Sequence, residues 1–430
     1  MRMHRQNRQD RLASMFKARV WICSAILILT AQAIACAQGA RSVRLDELLS
    51  EALKGNPGIA AARNGVLAAK ALQPQAWGLD NPMLRLENDN AHGNPFDSQH
   101  AEQNRIGFSQ TLPFPAKLFG RSLVAAKELA AAQAKCDQTI NDVMRDVKKA
   151  YSNLTLAIRT KELLEESRQA LDSFRDIANR KYSIGKASQA DVLGAEVEMG
   201  KILNEVTTQE ALVITAQATL KALLNTPGQE DFSVPETLEV KPVDMPLEDL
   251  VKKSQELNPA LRVVEAEVEK AEITVGLAKL EYAPDVQVQT EFRQVDGGPD
   301  VWDGFLGVSI PLWAWKQQGQ IAQAKSFMDQ KRNSLSTQKN ETILAVREAY
   351  AGVQSAWHIV NNLKTVIIPQ AEQTVNVSET AYENDKIDFL SLMSYWRILL
   401  NYRIDLQRAI AQYTIAMADL ERAVGSVVSK

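Results

Sequence analysis

The chain reads as two versions of one plan, and this internal duplication limits the fold more than any single motif does. Leu45-Asp46-Glu47-Leu48-Leu49 returns as Leu247-Glu248-Asp249-Leu250-Val251, and Asn56-Pro57 returns as Asn258-Pro259, both displaced by 202 residues. Pro82 matches Pro284 at the same displacement. Farther on, Gly107 and Ser109 match Gly307 and Ser309, Ala150-Tyr151 matches Ala349-Tyr350, and Tyr182 with Lys186 matches Tyr382 with Lys386, displaced by 199 or 200. The fold must therefore repeat its parts in order, over residues 38–225 and again over 247–430, with a proline-rich equatorial segment at 226–246 between them.

Each repeat opens with a short helix and an Asn-Pro boundary that starts a second one, since proline suits a helix's first turn. A β-hairpin is expected next, at about 82–112 and again at about 285–312. Leu84 and Leu86 alternate with Arg85 and Glu87, while Val286, Val288 and Phe292 alternate with Gln287, Gln289 and Arg293; period two means strand. Asp296-Gly297-Gly298-Pro299 marks the second hairpin's turn. Long helical hairpins follow at about 116–225 and 316–425. No proline occurs between Pro115 and Pro227, and apolar residues from Val143 to Ile177 recur at helical spacing. A run of about sixty residues spans on the order of 90 Å, too long for a compact domain. Pro369 interrupts the second hairpin, where a kink is expected.

Residues 1–37 have the basic start, short apolar run and small-residue end of a secretory signal, so the protein is exported. Ala35-Cys36-Ala37 suits cleavage before Gln38, while Ala33-Ile34-Ala35-Cys36 is an imperfect lipidation box, leaving Cys36 either discarded or lipidated. Removing 1–37 leaves 43 Lys plus Arg against 51 Asp plus Glu, a net charge near −8. That excludes the basic footprint of a nucleic-acid binder. Phosphate-binding loops, hydrolase motifs and spaced metal ligands are absent from the sequence, so neither enzyme nor cofactor is expected. His92 and His100, in the first hairpin loop, read as hydrated loop residues or a weak metal site at an outer mouth.

The hairpin strands match the length of transmembrane strands, but four strands cannot close, and open edges do not survive in lipid. Three copies would supply twelve strands, above the eight at which outer-membrane barrels begin. Trp302, Phe305, Trp313 and Trp315 cluster around the last strand, as an interfacial girdle would or as core aromatics would. A periplasmic coiled-coil structural protein would share the long helices but not the duplicated amphipathic hairpins.

Taken in order and spacing, the Asn-Pro repeat, Gly-x-Ser strand ends, paired Tyr-x-x-x-Lys turns and proline-free hairpins resemble the TolC-type outer-membrane factors over nearly the whole mature chain. The resemblance implies a mixed α and β membrane protein: a homotrimer with a twelve-stranded barrel in outer-membrane lipid and a periplasmic α-helical barrel. It implies a passive channel working with a periplasmic adaptor and an inner-membrane transporter. Leu79-Asp80-Asn81-Pro82, Gly107-Phe108-Ser109-Gln110 and Ala418-Asp419-Leu420-Glu421 look like the branch that serves heavy-metal cation exporters. Drug efflux and polypeptide secretion use the same architecture.

The turns at Tyr182–Lys186 and Tyr382–Lys386 are expected together at the periplasmic tip, as gate or adaptor contact, or else as plain solvated surface. In relatives the second return helix carries acidic rings; the corresponding positions here are Ser391 and Ser394. Glu383, Asp385 and Asp388 lie just before them, and three copies would gather nine carboxylates, with Lys386 as the expected counter-charge, either within its own turn or reaching a neighbour.

Overall fold

The computed structural model describes residues 41–89, 102–228, 231–234, 238, 240–295 and 297–428. Cys36, His92 and His100 lie outside the described residues. The elements are strand β1 (Arg41–Ser42), helices α1 (Leu45–Gly55) and α2 (Pro57–Ala76), and strands β2 (Met83–Asp89) and β3 (Gln103–Leu112). There follow helices α3 (Pro115–Ser183) and α4 (Gln189–Leu224), strand β4 (Phe232–Ser233), helices α5 (Leu247–Leu257) and α6 (Pro259–Leu280), and strands β5 (Val286–Val295) and β6 (Val301–Val308). The chain ends with helices α7 (Ala314–Asn362), α8 (Ile368–Glu383) and α9 (Phe389–Val424).

Both Asn-Pro pairs do the same work. Asn56 accepts the N–H groups of Gly58 and Ile59 at 2.8 and 3.2 Å and donates to the Leu223 carbonyl at 2.8 Å. Asn258 accepts from Ala260 and Leu261 at 2.8 and 3.4 Å and donates to the Ala423 carbonyl at 2.7 Å. Each asparagine thus caps one helix and satisfies an orphan carbonyl at the end of the long return helix.

Helix α3 has 69 residues, about 100 Å at the α-helical rise. It begins at Pro115, whose fixed φ suits a helix's first turn. Ala150, Ala157, Leu164, Leu171 and Ala178 are all buried and seven residues apart, the 3.5-residue period that lets helices supercoil while keeping one seam inward. Charges stitch α3 to α9: Lys148 pairs with Glu421, Arg422 with Asp142, and Arg145 approaches Asp419 at 4.0 Å. His358, on α7, packs edge-on against Trp357 at 4.7 Å, and Cys136 is a buried free thiol on α3.

The second hairpin has no equally continuous helix. A π-helical segment, Leu363–Ile367, separates α7 from α8, and Pro369 sits in the first turn of α8. The repeat explains it. Tyr151 and Tyr350 are 199 apart, whereas Tyr182 and Tyr382 are 200 apart, so the second repeat holds one extra residue in this interval. A π-turn absorbs one residue without rotating the flanking helix faces, and it also relieves the clash between the proline ring and the preceding turn.

The four long strands form one antiparallel sheet in the order β2-β3-β5-β6, with β3 paired along its length to β5. The register puts Leu84, Leu86, Ile106, Phe108, Val288, Phe292, Trp302 and Leu306 on one face. The other face carries Arg85, Glu87, Asp89, Arg105, Glu291, Arg293 and Asp303, and ion pairs run across it: Arg105 to Asp89 at 2.5 Å and to Glu291 at 3.6 Å, Arg293 to Asp303 at 3.0 Å. Phe305 falls on this polar face, where a Cβ added to Gly307 would meet its ring at 2.8 Å. The expected cluster is narrowed rather than buried: Phe305 and Trp302 point to opposite sides because they differ by an odd number of residues, Trp313 and Trp315 lie beyond the strand at the start of α7, and all four are more than half exposed, so they are not core aromatics of the chain. Among the described residues, strands β2 and β6 have no partner on their outer edges, and no described helix is long and apolar enough to cross a membrane. The proline-rich equatorial segment contains the short β4, which pairs in parallel with β1.

Candidate functional site

The α3–α4 and α8–α9 turns are built alike. Gly185 and Asp385 stand at equivalent positions in the left-handed region, with φ of 73° and 57°. Gly185 N–H donates to the Tyr182 carbonyl at 3.0 Å and Lys186 N–H to Lys181 at 2.8 Å; in the second repeat Asp385 donates to Tyr382 at 3.2 Å and Lys386 to Ala381 at 2.8 Å. This paired closure satisfies the last carbonyls of each helix. Both turns end on a helix cap. Ser188 and Asp191 form a reciprocal capping box, and the Asp388 carboxylate accepts the Ser391 N–H at 2.9 Å.

The side chains then join the two turns. Lys181 donates to Asp385 Oδ1 at 2.7 Å and to the Tyr382 carbonyl, and its ammonium lies 4.4 Å above the Tyr382 ring. Lys186 donates to Asp385 Oδ2 at 2.8 Å. The hydrogen bonds from Lys181 and Lys186 hold the Asp385 carboxyl down at about 2, and the same Asp385 contact raises Lys186. Asp388 is lowered by its hydrogen bonds with Ser391.

The matched tyrosines part company in three dimensions. Tyr182 is 47% exposed, whereas Tyr382 is 4% exposed and rests on Phe389, with ring centroids 5.6 Å apart. Burial, then Asp191 and Asp385, push its phenol up to about 12. Beneath it lies a core shared by α3, α4, α8 and α9 that includes Leu171, Phe174, Ile202, Val375 and Trp396.

Lys386 makes no ion pair within its own turn among the described residues, where Lys181 and Lys186, from the other repeat, counter Asp385 instead. Within one chain Asp385 is bridged by two ammonium groups and the Asp388 carboxylate accepts a helix-cap hydrogen bond, so two of the three acids of this turn already have partners before any copies assemble. Glu383 is exposed, as is Ser394, while Ser391 is half-buried. Three participants went unrecognised in the sequence: Lys181, and the buried Glu198 with Arg397, which pair between α4 and α9. One signal was available. Glu198 and Arg397, like Lys186 and Asp385, are separated by 199 residues, so near-equivalent positions of the two repeats meet across the molecule.

Comparison with known proteins accords with this architecture. The family model described as outer membrane efflux protein matches residues 48–226 and 250–426. The cobalt-zinc-cadmium resistance protein CzcC of Cupriavidus metallidurans is 23% identical over 398 residues, covering 90% of this chain and 91% of that protein. Among solved structures, CusC superposes with a TM-score of 0.76 at 16% identity, covering 90% of this chain and 95% of that one. VceC of Vibrio cholerae superposes with a TM-score of 0.74 at 18% identity, covering 90% and 97%. With the family model matched in both repeats, the chain belongs to the outer membrane efflux protein family.

Proposed function

We propose that three copies of this chain form the outer-membrane duct of a tripartite pump that expels heavy-metal cations, passively conducting cargo delivered by a periplasmic adaptor and an inner-membrane transporter. The observation that carries the cation reading is the end-to-end similarity to CzcC; similarity to TolC of Escherichia coli reaches only 39% of this chain. Supporting the assembly is a four-stranded sheet with one apolar face and two open edges. Lipid would leave those edge groups unsatisfied unless β6 of each copy paired with β2 of the next. In this reading the charged sheet face lines the bore, and the joined turns form the periplasmic gate and adaptor contact.

Asp385 is the latch of that gate. It ties the second hairpin to the first within each copy through Lys181 and Lys186, and opening requires the hairpins to part there. The cargo is tested by deleting the gene from a strain with the rest of its export machinery intact. Cells should then retain zinc, cobalt or cadmium and become sensitive to them, with drug tolerance and peptide secretion unchanged. Unchanged metal content alongside retained drug or peptide would redirect the assignment.

A further inference from the structure

The two repeats place a lysine in the first turn of α3 and of α7, Lys117 and Lys316, displaced by 199 as are Gly120 and Gly319. A cation there opposes the helix dipole and needs a negative partner. Lys117 has one: it is 3% exposed, bonds both Asp285 oxygens at 3.0 and 3.1 Å, and lies 3.8 Å from Glu281. Lys316 is exposed, and among the described residues no acid pairs with it. Immediately before it, Trp313 and Trp315 pack against each other with ring centroids 5.0 Å apart and planes tilted by 53°, yet remain 61% and 66% exposed. They follow Ile310 and Leu312, both 72% exposed, which continue the chain from the apolar face of β6.

We propose that Trp313, Trp315 and Lys316 form a headgroup site for anionic phospholipid in the periplasmic leaflet of the outer membrane, which fixes the depth of the barrel. The inference rests on the reading of the sheet as a lipid-embedded barrel wall. Three features select this occupant: continuity with the apolar sheet face, two amphipathic rings of the type that settles at a membrane–water boundary, and an exposed ammonium just beyond them on the helix side. A phosphodiester would give Lys316 the negative partner that Asp285 gives Lys117.

The test uses the full chain in phosphatidylcholine vesicles containing phosphatidylglycerol brominated either near the headgroup or deep in the acyl chain. Comparing the parent with the Trp313→Phe/Trp315→Phe variant isolates the fluorescence of the pair, and Trp302→Phe isolates that of the apolar sheet face. The pair should be quenched chiefly by the shallow bromines. Lys316→Gln should lower the local enrichment of phosphatidylglycerol about fivefold, the factor contributed by one cation near the surface. A quenched Trp302 beside an unquenched pair would overturn the headgroup site and leave the barrel standing; quenching insensitive to Lys316→Gln would overturn the preference for anionic lipid. If Trp302 is also unquenched, the barrel reading itself fails.

Discussion

At the scale of single residues, the turns depend on charges that cross between repeats. Asp385→Asn should release both lysines, speed amide exchange over 181–187 and 382–389, and raise the open probability of reconstituted channels. Asp388→Asn should leave all three unchanged, because asparagine caps a helix as well as aspartate does. Equal effects of the two changes would remove the latch. The pH dependence has two limits. A carboxyl held at about 2 keeps its partners above the usual aspartate range and loses them only as pH falls toward that value. The raised Tyr382 phenol and Lys186 ammonium contribute up to their ordinary values and are lost as pH climbs through the raised ones. Protection factors at the turns, with exchange rates corrected for intrinsic base catalysis, should therefore be flat from about pH 5 to 9 and fall only outside those limits, since all three groups keep their charge states in between.

Among elements, the π-turn makes the sharpest demand. Deleting Thr365 should restore a continuous α-helix with the faces of α7 and α8 still in phase, but it returns Pro369 to a helix interior, costing about 3 kcal/mol. Adding Pro369→Ala should recover most of that loss in thermal unfolding followed by circular dichroism. If the double variant is no more stable than the single deletion, the extra residue is not what the π-turn absorbs. The Asn-Pro caps offer an independent check. Asn258→Ala removes a helix cap and strands a buried carbonyl of α9, for a loss of about 2 kcal/mol, whereas an exposed change such as Asn333→Ala should shift stability by under about 0.5 kcal/mol.

For the whole molecule, the proposed closure predicts a particle of three chains by light scattering in matched detergent; a monomer that inserts stably in membranes would contradict it. The two sheet faces should respond differently. Leu306→Lys on the apolar face should cost about 2–4 kcal/mol in a bilayer if it lies near the midplane, while Gln289→Lys on the charged face should be tolerated. Unfolding in lipid vesicles separates these outcomes.

The duplication, the strand alternation at 82–90 and the helical spacing from Val143 to Ile177 were legible in the sequence because each is a local period, and a local period dictates which face of an element is apolar. Strand parity even assigned Leu84 and Arg85 to opposite faces. The same rule was available for Trp302 and Phe305, and their nearness in sequence concealed it. Other features lay out of reach of local pattern. Lys386, one residue from Asp385, was the expected partner, but the turn carries its backbone back toward Ala381, and Lys181 and Lys186 arrive from the other hairpin. Glu198 and Arg397 likewise meet only because two long hairpins pack side by side. Sequence by itself determined the order, type and apolar faces of the elements, since these follow from backbone geometry repeated every few residues. Tertiary structure alone decided which charges pair and which tyrosine is buried, because those depend on side chains brought within a few ångströms by packing about 200 residues away along the chain.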